Sequence, residues 1–180
     1  MGGNSDKTSG GTRNYASQPG TLRNRKAEYR RFMGSGEYDR NKSYFHKSGG
    51  FVVVHDEHYL KRGELNAGKK LARKGYKVYL DSERSTITGG ATRDGSIYHS
   101  PMDIKAIGKA GKWSIKREME KAAKQGAETV VLMQRTRRMT RAYVDDQIQK
   151  FRDNGTQMSR AKIKWVIVVG MSGNVHRHKV

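Results

Sequence analysis

Short apolar runs alternate along the chain with amphipathic windows, and this alternation limits the folds open to it. The segments "FVVV" (51–54), "YKVYL" (76–80), Ser96–His99, Met102–Ile107, "TVVLM" (129–133) and "WVIVV" (165–169) have strand length and are β-branched or aromatic in character. Between them lie helical patterns. Leu65, Ala67, Gly68, Leu71 and Ala72 form one stripe, stopped by Gly75. Ile115, Met119, Ala122 and Ala123 form a second, with Ser114 as expected N-cap and Gly126 as stop. Tyr143, Val144, Ile148 and Phe151 form a third. The order predicts an α/β fold in which helices flank a mixed central sheet.

The expected domain covers 45–172. Residues 1–44 read as a flexible basic N-terminal arm, with a disordered Gly/Ser/Thr/Asn-rich tail to about residue 22. Residues 173–180 read as a polar basic tail that holds His176 and His178. Residues 1–48 carry ten Lys/Arg against four Asp/Glu, interleaved with Tyr and Phe. Such a mixture contacts phosphates and stacks on bases.

Thirty-seven Lys/Arg against seventeen Asp/Glu give a formal charge of +20. A charge of this size repels itself on folding and calls for a polyanionic partner. Nucleic acid ranks first and an acidic protein second. The chain has no cysteine, which excludes disulfides and zinc–thiolate sites. No apolar run approaches a membrane span and no apolar signal core is present, so no membrane partner and a cytoplasmic location are expected.

Against this basic background, "TRDGSIYHSPMDIKAI" (92–107) places two acids, Asp94 and Asp103, nine positions apart. Read as a hairpin joined at Ser100-Pro101, it sends Asp103 and Lys105 to one face and Met102, Ile104 and Ala106 to the other, toward the core. Asp94, at the start of the first strand, is brought near the far end of the second, an arrangement that can gather both carboxylates and the ammonium into one pocket. Two carboxylates, with the Ile104 carbonyl as a third ligand, suit magnesium or manganese. Lys105 can orient a water or stabilise negative charge on a phosphodiester in its transition state. The competing reading is an Asp-Gly turn beside ordinary surface charges.

The spacing Asp94-x8-Asp103-Ile104-Lys105, on a hairpin preceded by an acid-bearing helix, resembles the PD-(D/E)XK nuclease superfamily. Arg93 stands where that pattern often has proline, and "DIK" replaces the commoner "EVK". The ordered set Glu64, "LARKGYKV", Asp94, "DIK" and "AAKQG" is similar to the C-terminal tRNA nuclease domains of contact-dependent growth-inhibition toxins and to related phage and mobile-element modules. The resemblance spans roughly residues 45–170. It implies a restriction-endonuclease-like core and a divalent-metal-dependent endonuclease acting on tRNA, with DNA as the alternative substrate. It also implies Glu64 as a further metal ligand and Gln125 as a catalytic side chain. A toxin would be delivered into a target cell and countered by an acidic immunity protein.

Expected nucleic-acid contacts are Arg30 and Arg31 in the arm, Lys116 in the second helix, and Arg135, Arg137 and Arg138 in the run "RTRRMTR". Asp81 and Glu83, at the end of "YKVYLDSE", are further candidates for the metal site. Two rival readings stand beside the metal nuclease. One is a metal-independent, barnase-like ribonuclease using His46, His55 and His58 as acid and base. The other is a non-catalytic nucleic-acid-binding protein of a phage or mobile element.

Overall fold

The computed structural model describes residues 20–82 and 93–180. The tail to residue 19, Glu83 and most of the Gly/Thr/Arg-rich loop before Arg93 lie outside the described residues. One eight-stranded mixed sheet runs in chain order, β1 (Tyr44–Phe45), β2 (Phe51–Val54), β3 (Lys77–Leu80), β4 (Gly95–Ile97), β5 (Ser100–Ile107), β6 (Thr129–Gln134), β7 (Trp165–Val169) and β8 (Val175–Lys179). The parallel pairs β2–β3, β5–β6 and β6–β7 are those joined through helices, as a crossover requires. The helices are α1 (Leu22–Ser35), α2 (Glu64–Arg73), α3 (Ser114–Lys124), α4 (Arg141–Asn154) and the short α5 (Gln157–Lys162).

Strand alternation separates two cores. On one face Val130, Leu132, Val166 and Val168 meet Ile115 and Met119 of α3 and Val144, Ile148 and Phe151 of α4. On the other, Val52, Val78, Met102, Ile104 and Val131 share a cluster with Ala67 and Leu71 of α2. The glycine stops act as the sequence implies. Gly75 and Gly126 take positive φ just past α2 and α3, and their N–H groups return to Ala72 and Ala123. Ser114 is the first residue of α3, not its cap; its hydroxyl accepts from the Gly111 N–H.

The arm differs from expectation over its second half. Thr21 caps α1, whose Tyr29, Phe32 and Met33 fall on one stripe and pack on Phe51, Val53 and Tyr79 of the sheet. Buried Arg25 donates to the Gly75 carbonyl at 3.0 Å, and Glu28 accepts from Lys77 and Tyr79. Tyr29 and Phe32 are therefore half-buried against the core. Arg30 and Arg31 remain exposed. The expected loose C-terminal tail is β8, paired antiparallel to β7 from Val175 to Lys179. No helix among the described residues is long and apolar enough to cross a membrane.

The hairpin turns at Tyr98-His99, not at Ser100-Pro101. Both residues take positive φ (48° and 65°), as two-residue hairpin turns require, without the usual Gly or Asn. Packing offsets the cost. Tyr98 lies against Tyr76 and donates to the Gly75 carbonyl, and His99 stacks on Tyr79. Ala106, expected in the core, is exposed near the carboxyl end of β5.

At Gly95, a Cβ would fall 1.9 Å from the Tyr79 carbonyl oxygen. Gly95→Ala is expected to cost about 2 kcal/mol or more in urea unfolding. Gly108→Ala, where a Cβ meets nothing within 4 Å, should leave the midpoint unchanged.

Candidate functional site

The sheet forks between β4 and β5. Their register ends at Gly95↔Met102, so β4 pairs only with the first three residues of β5. At the next step Asp94 stands opposite Asp103. In place of a strand carbonyl, the Asp94 carboxylate accepts from the Ile104 N–H through Oδ2 at 2.7 Å. The close approach of Gly95 to Tyr79 brings the preceding residue into this position. Asp94 and Asp103 are both buried, and Asp103 is 0% exposed.

Alternation places Asp103 and Lys105 on the α3 face, as the sequence implies. Lys105 Nζ is 2.7 Å from Asp103 Oδ2 and donates to Gln125 Oε1 at 2.8 Å. Gln125 caps the carboxyl end of α3, so the helix end fixes the lysine above the acid. Burial, and then the adjoining Asp94 carboxyl, push Asp103 up to about 7, against the pull of the Lys105 ammonium. Burial alone would raise Asp94 too. A proton shared with Asp103, the Lys61 ammonium and the Ile104 N–H together hold it below the usual carboxylate value.

Glu64 approaches from the opposite side, as the first residue of α2. Gly63, at φ 92°, turns the chain sharply into that helix. Glu64 is 1% exposed; its Oε2 accepts from the Lys61 N–H at 3.0 Å and faces His58 Nε2 at 3.2 Å. His58 Nδ1 faces the Asp81 carbonyl oxygen at 2.8 Å. Both of these neighbours are acceptors, so the buried pair holds a proton on each ring nitrogen or shares one with Glu64. The Lys61 ammonium joins the two halves of the site, 2.6 Å from Asp94 Oδ1 and 3.9 Å from Glu64 Oε1.

Sequence reasoning missed Lys61. A lysine in "YLKRGE" carries no local signal among thirty-seven Lys/Arg. His58 was noticed, but in another role. His46 bonds Ser48 away from the other two, whereas His55, edge-on to Tyr38, and His58, facing Glu64, both lie near Asp81. The carboxyl of Asp81 is raised by burial, with Arg93, His58 and His55 pulling it down. Lys116 is paired to Glu120 at 2.9 Å and lies over Trp113. Arg135 donates to the Arg62 carbonyl beside the site, whereas Arg137 and Arg138 are exposed. Arg31 lies over the Phe32 ring of α1.

Carboxylate and carbonyl oxygens are the donors that a hard divalent cation takes. Among the described residues, a lysine ammonium sits between two carboxylates, Glu64 Oε1 accepts no hydrogen bond, and Asp103 meets Lys105 and a proton shared with Asp94. No three His, Asp or Glu side chains among the described residues are grouped closely enough to hold a metal ion as they stand. Asp94 and Asp103 alone lie side by side, and magnesium bound by few carboxylates keeps water as its other ligands.

The fold and the fork define an α/β domain with a carboxylate–lysine site. No family model matches the chain, and no curated protein matches it. Among solved structures, one chain of the CdiA-CT/CdiI toxin and immunity complex from Burkholderia pseudomallei is similar. The likeness covers 72% of this chain and 98% of that one, with a TM-score of 0.50 and 19% identity. At that identity the two share a fold.

In metal-free buffer, folded Asp103 keeps its proton up to about pH 7, whereas the unfolded chain releases it near 3.8. Across that window the folded state binds more protons, so this group's contribution to stability falls as pH rises. Asp103→Asn should therefore unfold at a higher temperature than the parent protein at pH 8. The gap should narrow at pH 5. Equal melting temperatures at pH 8 would show that burial does not penalise this carboxylate.

Proposed function

We propose that the chain is a divalent-metal-dependent endonuclease of the PD-(D/E)XK type, acting on RNA with tRNA as the leading substrate. The convergence of Asp94, Asp103 and Lys105 at the fork carries this reading, with Glu64 joined to them through Lys61. The likeness to a chain of a toxin and immunity complex supports a toxin-like setting. With a net charge of +20, the chain suits an acidic immunity protein as well as nucleic acid.

Asp94, Asp103, Glu64 and the Ile104 carbonyl would hold Mg2+ or Mn2+. When bound, the ion would neutralise phosphate charge and lower the pKa of a water. Lys61, whose side chain is 56% exposed, would give way to the ion, and Asp103 would release its shared proton to solvent and become a full carboxylate. Lys105, held by Gln125, places its ammonium where charge develops on the attacked phosphate. Water would add to phosphorus and lose a proton to solvent, the P–O bond to the leaving oxygen would break, and that oxygen would take up a proton, giving a phosphate monoester and a hydroxyl. His58 keeps Glu64 aimed inward.

Incubation with tRNA should give cleavage with Mg2+ or Mn2+ and none with chelator. Lys105→Ala and Asp103→Asn should each slow it by roughly 100-fold or more and keep nucleic-acid affinity. Duplex and single-stranded DNA, run alongside, assign the substrate. Chelator-resistant cleavage, or a Lys105→Ala variant of undiminished rate, would overturn the reading.

A further inference from the structure

A second cluster of polar groups lies across the sheet from the carboxylates, at the carboxyl ends of β6 and β7. His176 and His178, two apart on β8, pair with Val168 and Val166 and so share the face covered by α4. There they meet Arg141, the first residue of α4 and the last of the basic run "RTRRMTR". The three side chains line a cavity of about 220 Å3 with Thr140, Gln134 and Asn174. Its floor is apolar, formed by Met139, Val144 and Val168.

The charges are unbalanced. His178 Nδ1 faces Asp145 Oδ1 at 3.0 Å, so that nitrogen carries a proton and Nε2 is left for other use. Among the described residues, the side chains of Arg141 and His176 have no hydrogen-bond or ion-pair partner. Burial lowers His178, and Arg141 and His176 lower it further, against Asp145, which raises it. Groups that disfavour one another's charge have been brought to one cavity with a single carboxylate at its rim. An anion in the cavity would relieve that repulsion. The amino-terminal end of α4 contributes partial positive charge of the same sign.

The cavity shares one lining residue, Gln134, with a groove of about 450 Å3 lined by Arg62, Lys70 and Arg135. Arg62 and Gly63 of that groove adjoin Lys61 and Glu64. Basic side chains therefore stand on both sides of Gln134, with Arg62, Lys70 and Arg135 on one and Arg141 on the other.

We propose that Arg141, His176 and His178 bind a backbone phosphate of the nucleic-acid substrate, a few nucleotides from the bond to be cut. This subsite rests on the nuclease reading, but its test needs no cleavage. Neither histidine belongs to the Asp94–Asp103 centre, so the subsite anchors substrate and takes no part in the chemistry.

The first measurement titrates inorganic phosphate into the unmodified full chain while following the imidazole nitrogen resonances by NMR. Saturable shifts at His176 and His178 are expected. The second measures affinity for a single-stranded oligoribonucleotide in chelator. Arg141→Ala/His176→Ala should bind roughly tenfold more weakly, and the salt dependence should lose about one to two ionic contacts. In cleavage assays the same variant should raise KM and keep kcat.

Oligonucleotide binding that leaves both histidine rings unmoved would overturn the subsite and leave the nuclease reading intact. So would phosphate shifts without any loss of oligonucleotide affinity in the double variant. The phosphate titration of the unmodified chain stands even if the variant misfolds. Loss of cleavage in every metal with oligonucleotide binding intact and histidine-dependent would overturn the nuclease reading alone.

Discussion

The hydrogen bond from the Ile104 N–H to the Asp94 carboxylate sets the geometry of everything around it. A backbone donor inside a sheet must find an acceptor, and β5 loses its strand neighbour at this residue. By using a side-chain carboxylate instead of a strand carbonyl, the chain lets β4 diverge without leaving Ile104 unsatisfied. The divergence opens the fork, and the same contact fixes Asp94 beside Asp103. The rest of the site is arranged around that pair. Gln125 holds Lys105 from the end of α3, and Gly63 turns Glu64 inward at the start of α2.

Two buried carboxylates side by side are unfavourable unless something neutralises them. The protein alone does so with one shared proton and two lysines, Lys61 and Lys105. The two lysines differ in restraint. Lys105 is 18% exposed and tied to Gln125, so its ammonium is held in position. Lys61 is far more exposed and reaches the acids from a surface loop. The contrast supports a lasting role for Lys105 and an interchangeable one for Lys61, whose positive charge a divalent ion can replace.

Much of the sheet and half of the site were legible in the sequence. Period-two alternation alone put Asp103 and Lys105 on one face, because a strand offers no other choice. The glycine stops at 75 and 126 ended α2 and α3 where they stand. The hairpin reading erred in its turn. A connection at Ser100-Pro101 would have set Asp94 toward the far end of β5, whereas the Tyr98-His99 turn sets it opposite Asp103. Two bulky residues at positive φ give no turn signal in sequence; the tyrosines that stabilise them come from β3 and the residue before it. α1 and β8 were missed because their residues are mostly polar or charged. Their order comes from tertiary contacts, the Tyr29–Phe32–Met33 stripe on Phe51 and the backbone ladder to β7. Lys61 and the cavity around His176 and His178 were beyond reach, since both depend on residues brought together from distant parts of the chain.

The central claim is that the fork at Asp94 and Asp103 binds a divalent cation. Paramagnetic broadening by Mn2+ in the NMR spectrum of the unmodified protein tests it most directly. At sub-stoichiometric Mn2+ the account predicts selective loss of the Gly95, Ile104 and Lys105 amide signals, with recovery on adding chelator. Broadening spread evenly over surface carboxylates such as Glu118 and Asp153, with the fork amides intact, would contradict it.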